Sequence, residues 1–472
     1  MNLSSLLTDH PADDDTVIVS DLDRSFTRAE LVARVEVQAS AIADLSPIAG
    51  APAAVVAAGI EMLVGMFAVW RNGLVLVPVN PRQPPPSIGD VIERTDAAVV
   101  IDEDGIRSRP STTVHDTGTA FVLWTSGTTG RPKAVLHEHD AYLEIIDRVL
   151  GPLRAAPRDP DKRPSPNLIP VSMALNAGLY NALFGLRAGA PLVLMERFET
   201  RAFATLVDRH QIRSTVLPPA AMAMLSDDAA IDSLAPLRYV RSITAPLSPF
   251  QARRFTGRFG VTVLNGYGQA EIGEVIGWTA ADAKAHPDKI GAIGRPHAGV
   301  DIRLDEPDEL GVGELLVRPP NRATGYADKD DGNVDLADRL TPDGFVRTGD
   351  LARIDDDGFV WIEGRQSDLI NRGGNKVFPD EVEEVLLTVP GVREAAVVAA
   401  PDSRLGEVPV AFIVGTAAAA DLESACRDHL VAYKVPARFE WCDALPRNEA
   451  GKVLRKELVA ASEAINHSGE ET

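Results

Sequence analysis

The first hundred residues of the sequence alternate helical segments with short apolar runs. The helical segments are residues 28–42 and 62–72, and the apolar runs are residues 53–57, 74–79 and 97–101. Short buried strands that alternate with helices are typical of an α/β sheet. The same pattern returns further along the chain, with predicted strands at residues 190–195, 214–217 and 261–264. The sequence therefore predicts a large N-terminal α/β domain with mixed sheets.

The pattern changes twice after this region. Residues 289–364 contain short strands separated by Gly- and Asp-rich turns, which indicates a β-rich subdomain. A βαβ-like segment follows, with predicted helices at residues 379–387 and 420–432 and predicted strands at residues 393–399 and 408–414. About a hundred residues suffice for a small separate domain. We predict domains at residues 1–366 and 367–472, the second a mobile α+β domain.

Composition excludes some partners. The 472 residues carry 47 Lys and Arg against 68 Asp and Glu, a net charge of −21 that disfavours nucleic acid as a partner. The first residues lack the basic start and apolar run of a signal peptide, and the longest apolar stretches are too short for a membrane span. Only two cysteines are present, which fits a reducing compartment. We predict a cytoplasmic protein without a membrane span.

A loop of glycines and hydroxyls lies between two apolar strands. Residues 125–133 read TSGTTGRPK, with FVLW before them and AVL after them. Gly127 and Gly130 allow backbone N–H groups to turn toward an anion, and Lys133 adds a positive charge. Further donors are the hydroxyls of Thr125, Ser126, Thr128 and Thr129. Lys133 follows Gly130 by three residues, so the loop is not a P-loop.

Two ordinary interpretations of this loop remain open, a turn without a ligand and a nucleophilic Ser126. A serine nucleophile of the GxSxG type requires glycine two residues before the serine, and Trp124 occupies that position. The loop alone therefore predicts only that an anion binds between two strands.

Four further segments combine glycines with charged side chains. Residues 265–271, NGYGQAE, follow a predicted strand, and open α/β sheets bind ligands at strand ends. In residues 348–350, TGD, the carboxylate can accept hydrogen bonds from a ribose diol. Residues 364–368, GRQSD, and 445–455, LPRNEAGKVLR, add further charges. Taken singly, each has an ordinary interpretation: a turn aspartate, a surface ion pair or a solvated lysine.

In this order the segments resemble those of the adenylate-forming superfamily, which includes acyl- and aryl-CoA synthetases, firefly luciferase and the adenylation domains of peptide synthetases. The resemblance extends from about residue 26 to residue 458. It implies that Thr125–Gly130 and Lys133 hold the phosphates of ATP, and that Glu271 holds Mg²⁺. It also implies that Tyr267 contacts the adenine or acyl group, that Asp350 binds the ribose, and that Arg365 contacts the ribose or phosphate.

The resemblance assigns the remaining segments to the small domain and its joint. It implies that Asp368 is the hinge and that Lys452 enters the active site during adenylation. A lysine suits this task because a flexible point charge neutralises developing negative charge. Residues 372–383 contain Gly373 and Gly374, which the resemblance places along the pantetheine tunnel used for thioester formation.

The sequence departs from the family pattern near the acid. Ala270 replaces the usual threonine, and Ala174 and Leu175 occupy the place where many relatives carry an aromatic residue and a histidine. No aspartate is present there to hold an α-ammonium group, which argues against an amino-acid substrate. The predicted pocket residues are Leu175, Asn176, Gly178, Ala245, Gly268 and Gln269. With Met173, Leu179, Tyr180, Pro218 and Met222 as neighbours, the pocket is predicted to be mostly apolar and to accept an aliphatic or aromatic acid.

The resemblance implies an acid–thiol ligase that uses ATP, Mg²⁺ and CoA. The acid is first activated as an acyl-adenylate and is then transferred to the thiol. Three alternatives remain open: a phosphopantetheine carrier protein as acceptor, an amine as acceptor, and a non-catalytic homologue that only binds ligands. A stand-alone carrier protein and a homodimer are both compatible with the sequence.

Overall fold

The structure is a computed structural model that describes residues 2–125, 133–154, 164–327, 336–448 and 451–469. Its strands, in chain order, are β1 (Val17–Ser20), β2 (Ser25–Thr27), β3 (Pro52–Val56), β4 (Val75–Val79), β5 (Val99–Asp102), β6 (Gly105–Ser108), β7 (Thr119–Thr125), β8 (Lys133–Glu138), β9 (Asn167–Ile169), β10 (Leu192–Leu194), β11 (Ser214–Leu217), β12 (Tyr239–Ser242), β13 (Thr262–Gln269), β14 (Gly273–Gly277), β15 (Arg295–Pro296), β16 (Asp301–Asp305), β17 (Gly313–Arg318), β18 (Gly325–Tyr326), β19 (Val346–Ile354), β20 (Val360–Arg365), β21 (Ile370–Arg372), β22 (Asn375–Val377), β23 (Val392–Asp402), β24 (Gly406–Gly415) and β25 (Arg438–Trp441).

The helices are α1 (Ser5–Thr8), α2 (Arg28–Ala43), α3 (Gly59–Arg71), α4 (Pro85–Arg94), α5 (His139–Arg154), α6 (Asn176–Arg187), α7 (Thr200–Arg209), α8 (Pro219–Asp227), α9 (Pro249–Phe259), α10 (Ala280–Ala285), α11 (Pro379–Leu387), α12 (Ala419–His429) and α13 (Arg455–Gly469). Short 3₁₀ helices occupy Pro287–Lys289, Leu336–Arg339, Gln366–Asp368 and Ala432–Lys434.

Two sheets form the large N-terminal part. One has the order β18-β8-β7-β4-β3-β5-β6 and the other has the order β15-β14-β13-β12-β11-β9-β10-β1-β2. The central strands β7, β4, β3 and β5 run parallel, as do β13, β12, β11, β9, β10 and β1. Parallel strands buried on both faces explain the short apolar runs in the sequence. The predicted α/β class with mixed sheets is confirmed.

Helix α3 is buried on almost every side, which fits its apolar composition. The exposed fraction of its side chains from Met62 to Trp70 is 3% or less. Trp70 donates a hydrogen bond from its indole Nε1 to the carbonyl oxygen of Ala120 on β7 at 2.7 Å. This helix thereby joins the cores of the two sheets, whose edges meet at the site described below.

The β-rich subdomain is a sheet of the order β16-β17-β19-β20, and its strands are antiparallel. Strand β19 begins at Val346, so residues 348–350 lie inside a strand. Val346 and Thr348 are buried on the inner face of β19, which pairs with β17. Asp350 is paired with Arg365 on β20, which fixes a charged pair at the edge of the sheet.

The C-terminal residues form a small mixed sheet around β23 and β24, which are antiparallel, with β25 parallel to β24. The predicted helices and strands of this segment correspond to α11, β23, β24 and α12, although α12 ends at His429 and a 3₁₀ turn follows it. The two predicted strands form an antiparallel hairpin, and the parallel βαβ unit is β24-α12-β25, whose last strand was not predicted. The large and small domains of the predicted fold class are confirmed, whereas the boundary after residue 366 stays a prediction. In the described part of the chain, no helix has the length and apolar character needed to cross a membrane.

Candidate active site

The hairpin of β13 and β14 carries the first group of predicted site residues. Glu271 lies in its turn and is 8% exposed. Its Oε1 accepts a hydrogen bond from the hydroxyl of Tyr326 and another from Nη1 of Arg339, each at 2.8 Å. Ala270, the departure from the family pattern, lies beside it in the same turn. The strand-end position places Glu271 where a ligand can reach it.

Asp350 is held by three side chains from two strands. Its Oδ2 accepts hydrogen bonds from the hydroxyl of Tyr267 and from Nε2 of Gln269, the latter at 3.0 Å. Its Oδ1 accepts a hydrogen bond from Nε of Arg365 at 3.0 Å. Burial and the negative charge of Asp350 raise the pKa of Tyr267 well above its usual value, so this phenol stays a donor. The structure thus brings together Tyr267, Asp350 and Arg365, three of the predicted nucleotide-binding residues.

Gln269 links this group to Glu271. It was predicted to line the acid pocket, and in the structure its Oε1 accepts a hydrogen bond from Nη2 of Arg339 at 2.7 Å. Its Nε2 also donates to the carbonyl oxygen of Thr348 at 2.9 Å. Because Arg339 binds both Gln269 and Glu271, the two carboxylates of the site, Glu271 and Asp350, share one hydrogen-bonded frame.

Lys452 comes from the C-terminal part of the chain and lies among these charges. Burial lowers the pKa of Lys452, and the positive charge of Arg365 lowers it further. The negative charges of Asp350 and Glu271 act in the opposite direction. The segment that carries Lys452 is held by Asn448, whose side-chain Oδ1 accepts a hydrogen bond from the backbone N–H of Lys452 at 2.9 Å. The sequence pattern pointed to these four charged residues separately, and the fold gathers them.

The structure describes the two ends of the glycine- and hydroxyl-rich loop, Thr125 and Lys133. Thr125 ends β7 and pairs with Lys133 at the start of β8. The Nζ atom of Lys133 lies 5.0 Å from the ring centre of Tyr326, the residue that binds Glu271. The other predicted phosphate-binding residues, Ser126, Gly127, Thr128, Thr129 and Gly130, lie outside the described residues.

Two residues of this centre, Tyr326 and Arg339, were missed in the sequence. Burial and the negative charge of Glu271 raise the pKa of Tyr326 to about 12. Burial alone would lower the pKa of Arg339, but Glu271 raises it, so the guanidinium keeps its charge. Strand β18, which holds Tyr326, has two residues and pairs with β8. A strand this short leaves no periodic signal, and no motif marked either side chain.

The predicted pocket residues lie along α6 and near the hairpin. Leu175 precedes α6, and Asn176 begins it and accepts a hydrogen bond from the hydroxyl of Tyr142 at 2.7 Å. At Gly178 a Cβ atom would lie 2.1 Å from the carbonyl oxygen of Ser172, so the fold requires glycine there.

The other two predicted pocket residues, Ala245 and Gly268, lie near the strand ends of the second sheet. Ala245 is half-buried between β12 and α9, and Gly268 lies on β13. At Gly268 a Cβ atom would lie 2.2 Å from the carbonyl oxygen of Gly273 on the facing strand, so a side chain there would push the hairpin apart.

A charged group also missed in the sequence lies on the same hairpin. Oε1 of Glu274 on β14 accepts a hydrogen bond from Nη1 of Arg241, which is on β12. The ring Nε2 of His297 lies 3.0 Å from the same oxygen. The pocket was predicted to be mostly apolar, and the structure places this polar group beside it.

The predicted joint of the two domains is a cluster of charges. Asp368 lies in the 3₁₀ turn between β20 and β21, and its Oδ2 is 3.5 Å from Nε of Arg455. The same guanidinium binds Asp380 at 3.0 Å and also contacts Glu383. Burial and the charge of Glu383 raise the pKa of Asp380 to about 6. A cavity of about 310 Å³ lies beside the joint and is lined by Thr348, Gly349, Arg365, Gln366 and Ser367.

Gly373 and Gly374 form the exposed turn between β21 and β22. Their φ angles of 59° and 91° belong to the left-handed region that favours glycine. The N–H of Gly373 donates to the carbonyl oxygen of Leu405 at 2.7 Å. The turn is therefore rigidly placed at the edge of the small sheet.

This combination of an α/β domain, a β-rich sheet and a small domain that contributes a partly buried lysine defines the adenylate-forming class. Residues 8–113 and 102–327 match the AMP-binding enzyme family, and residues 381–452 match the C-terminal domain of AMP-binding enzymes. The chain belongs to this family and is an AMP-forming acid ligase.

Related proteins point to the same class. The chain is 34% identical to the sulfoacetate–CoA ligase of Cupriavidus necator over 72% of its own length and 66% of that protein. It is 33% identical to the 2-succinylbenzoate–CoA ligase of Bacillus velezensis over 72% of its length and 68% of that protein. The structure of the amide bond synthetase McbA from Marinactinospora thermotolerans matches with a TM-score of 0.82 and 26% identity, covering 97% of this chain and 98% of that one.

Proposed function

We propose that this chain uses ATP to convert a carboxylic acid into an acyl-adenylate and then transfers the acyl group to the thiol of CoA. The observation that carries the proposal is the position of Lys452, which is partly buried within the electrostatic influence of Glu271, Asp350 and Arg365. A partly buried cation near two carboxylates and an arginine suits a reaction in which phosphate charge develops and is neutralised. The CoA ligases among its relatives support the choice of a thiol acceptor.

In the first half-reaction an oxygen of the acid forms a bond to the α-phosphorus of ATP, and the bond from that phosphorus to pyrophosphate breaks. The loop from Thr125 to Gly130 and Lys133 hold the phosphates, and Asp350 accepts hydrogen bonds from the ribose diol. Tyr267 packs against the adenine or the acyl group. Lys452 then neutralises the charge that gathers on the acid and the α-phosphate, where a flexible ammonium group can follow it.

The carboxylate of Glu271 fits a magnesium site. Its Oε1 is bound by Tyr326 and Arg339, and within the described residues its Oε2 accepts no hydrogen bond. Mg²⁺ is typically held by one or two carboxylates together with substrate phosphates. When bound there, the ion neutralises phosphate charge and favours departure of pyrophosphate. Arg339 and Tyr326 hold Oε1, so Oε2 of Glu271 would be available to the ion.

The second half-reaction requires the small domain, residues 367–472, to turn about Asp368. The turn of Gly373 and Gly374 then lines the channel for the pantetheine arm. The thiol sulfur forms a bond to the acyl carbon, the bond from that carbon to the AMP oxygen breaks, and the thiol proton passes to solvent. Arg455 stabilises the adenylating arrangement because it ties Asp368 to α11 in the structure.

A second candidate acceptor is an amine. The similarity to an amide bond synthetase favours it, because the fold is shared along nearly the whole chain. In that case the amine nitrogen attacks the acyl-adenylate, AMP leaves, and the product is an amide. The first half-reaction and its residues remain the same.

Acid-dependent exchange of radioactive pyrophosphate into ATP tests the proposal. A panel of carboxylic acids is supplied with purified enzyme, and the products formed with CoA or with amines are then identified by mass spectrometry. We expect exchange with at least one acid and formation of its CoA thioester. Exchange with no acid would contradict the ligase function, whereas exchange without a thioester but with an amide would replace CoA by an amine.

A further inference from the structure

Arg339 lies between the two carboxylates that are proposed to receive ATP, although no motif contains it. It ends the 3₁₀ helix that begins at Leu336, whose side chain is buried and anchors the helix. The next residue, Leu340, forms a β-bridge with Val346 at the start of β19. These contacts hold the guanidinium between the β13–β14 hairpin and the strand that carries Asp350.

The nitrogen atoms of this guanidinium have different partners. Nη1 donates a hydrogen bond to Oε1 of Glu271 at 2.8 Å, and Nη2 donates one to Oε1 of Gln269 at 2.7 Å. Nε and Nη2 also donate to the carbonyl oxygen of Arg347 on β19, at 3.1 Å and 2.9 Å. A guanidinium carries its donors in a fixed planar fork, so it sets the direction of each partner as well as supplying charge. Arg339 therefore ties the turn of the hairpin to β19.

Gln269 continues this connection to Asp350. Its Nε2 donates to Oδ2 of Asp350 at 3.0 Å and to the carbonyl oxygen of Thr348 at 2.9 Å. Because the amide oxygen accepts from Arg339, the NH₂ group at the other side of the amide is directed to Asp350. The side chains thus form one unbroken hydrogen-bonded chain, in the order Glu271, Arg339, Gln269 and Asp350.

Burial makes these links effective. Glu271 and Asp350 are buried, and 22% of the Arg339 side chain is exposed. Water therefore competes little for these donors and acceptors, and hydrogen bonds are stronger in such a setting. The carboxylates stand at the two ends of the chain of contacts, one predicted to serve the phosphates and the other the ribose. Removal of a middle link is expected to disturb both.

We propose that Arg339 is a positioning residue for adenylation, which fixes Asp350 relative to Glu271 through Gln269, so that the ribose and phosphate ends of ATP meet carboxylates set as one unit. This inference rests on the proposed function, because it concerns the ATP of the first half-reaction. In the described part of the chain Arg339 makes no hydrogen bond to Asp350 itself. Its effect on the ribose therefore passes through Gln269.

Adenosine separates this role from a purely local one at Glu271. It has the ribose but no phosphate, and in EDTA it carries no charge that a metal ion or Arg339 attracts. Its dissociation constant is measured by calorimetry with the full chain. We expect Arg339→Met to raise this constant about tenfold or more, since loss of an outer partner of a ligand-binding residue commonly costs about 10–100-fold.

Gln269→Met should raise the dissociation constant of adenosine to a similar extent. The double variant should show no further loss, because both substitutions break the same connection and their effects are then not additive. Gln269 is neutral, so its substitution leaves the ion pair of Arg339 and Glu271 in place. This variant decides the question if Arg339→Met does not fold.

Two further variants separate the connection from charge and folding. Arg303→Met removes an arginine of β16 that binds Asp343 at 2.7 Å, on the same β-rich sheet, and it should leave adenosine binding unchanged. Arg339→Lys keeps the charge but replaces the fork by a single nitrogen, so it should bind adenosine as weakly as Arg339→Met. Steady-state pyrophosphate exchange gives a second readout, in which KM for ATP rises in Arg339→Met and KM for the acid does not.

Unchanged adenosine affinity in Arg339→Met or Gln269→Met, full recovery in Arg339→Lys, or additive losses in the double variant would overturn the inference. A loss confined to ATP would overturn it too, because Arg339 would then act on Glu271 alone, and so would an unaltered protein that does not bind adenosine. Pyrophosphate exchange with no acid would contradict the proposed function, whereas the adenosine measurement would still decide this inference.

Discussion

The β13–β14 hairpin holds two polar groups of different kinds. At the turn, Glu271 belongs to a centre that includes Asp350, Arg365 and Lys452, and these residues come from four separate segments of the chain. Further along β14, Glu274 belongs to a compact group with Arg241 and its neighbours. The proposed adenylation needs the first group. The second group lies on the strand that faces Gly268, a predicted pocket residue, so substitutions in the two groups should have separable effects.

The largest effect is expected for Lys452→Ala. Loss of the partly buried cation should slow pyrophosphate exchange about 10²–10³-fold with every acid, because one electrostatic contact to a transition state has this magnitude. Supplied acyl-adenylate should still be converted to thioester. The control Lys456→Ala removes an exposed lysine of α13 four residues away and should change neither step. An equal loss of both steps in Lys452→Ala would contradict the assigned role.

A smaller effect, on the binding of ATP alone, is expected for Asp350→Asn. Hydrogen bonds to a charged group contribute about 1.5–3 kcal/mol, so KM for ATP should rise about tenfold to hundredfold while the order of preference among acids is kept. Asp356→Asn changes an exposed turn aspartate on the same sheet and serves as the matched control. Steady-state kinetics with two acids provide the measurement. A changed order of acids would show that the two ends of the hairpin are not separate.

The pH dependence of adenylation should report the charge of Lys452. Its pKa is lowered by burial and by Arg365, so the ammonium group loses its proton at a lower pH than the ordinary value of 10.5. Above this lowered pKa the neutral amine predominates, and exchange should fall about tenfold for each further pH unit. In Lys452→Arg the remaining activity should not fall over the same range. A fall in both proteins would assign the titration to another group.

The smallest effect concerns the wall of the acid pocket. Gly178→Ala should reduce the free energy of unfolding by about 1–3 kcal/mol, because its Cβ atom would collide with a backbone carbonyl. Gly89→Ala is the matched control in helix α4, where a Cβ atom would meet nothing within 4 Å. This control should stabilise the protein by about 0.5–1 kcal/mol, since alanine is the better helix former. Urea unfolding of both variants gives the comparison, and equal effects would contradict the tight packing at residue 178.

The same comparison explains what the sequence could predict. The residues predicted to bind the nucleotide stand in short motifs, so Tyr267, Glu271, Asp350, Arg365 and Lys452 could be named from the sequence, and their roles stay predictions. These residues come together because β13, β19, β20 and the C-terminal loop meet in the fold. The resemblance, which was based on the order of the motifs, already implied that they share one site. The helices and strands were also predicted closely, because apolar periodicity marks buried elements.

The ion pair of Arg241 and Glu274 could not be predicted in this way. Arg241 lies on β12 and Glu274 on β14, the two strands on either side of β13, in patterns that look like ordinary half-exposed strand positions. Their pairing depends on the order of strands in the sheet, which local sequence does not contain. Tyr326 and Arg339 were missed for a related reason, since they stand in short elements whose role comes only from contact with Glu271.

Gly266, Gly277 and Glu274 together form a pattern that can be recognised in a sequence. A chain with glutamate at the equivalent of 274 but a side chain at the equivalent of 277 has no room for the same ion pair, because the Cβ atom would lie 2.8 Å from Oε1. The three positions are therefore expected to vary together among relatives that keep this ion pair. The triplet distinguishes chains that can form the pair from chains that cannot.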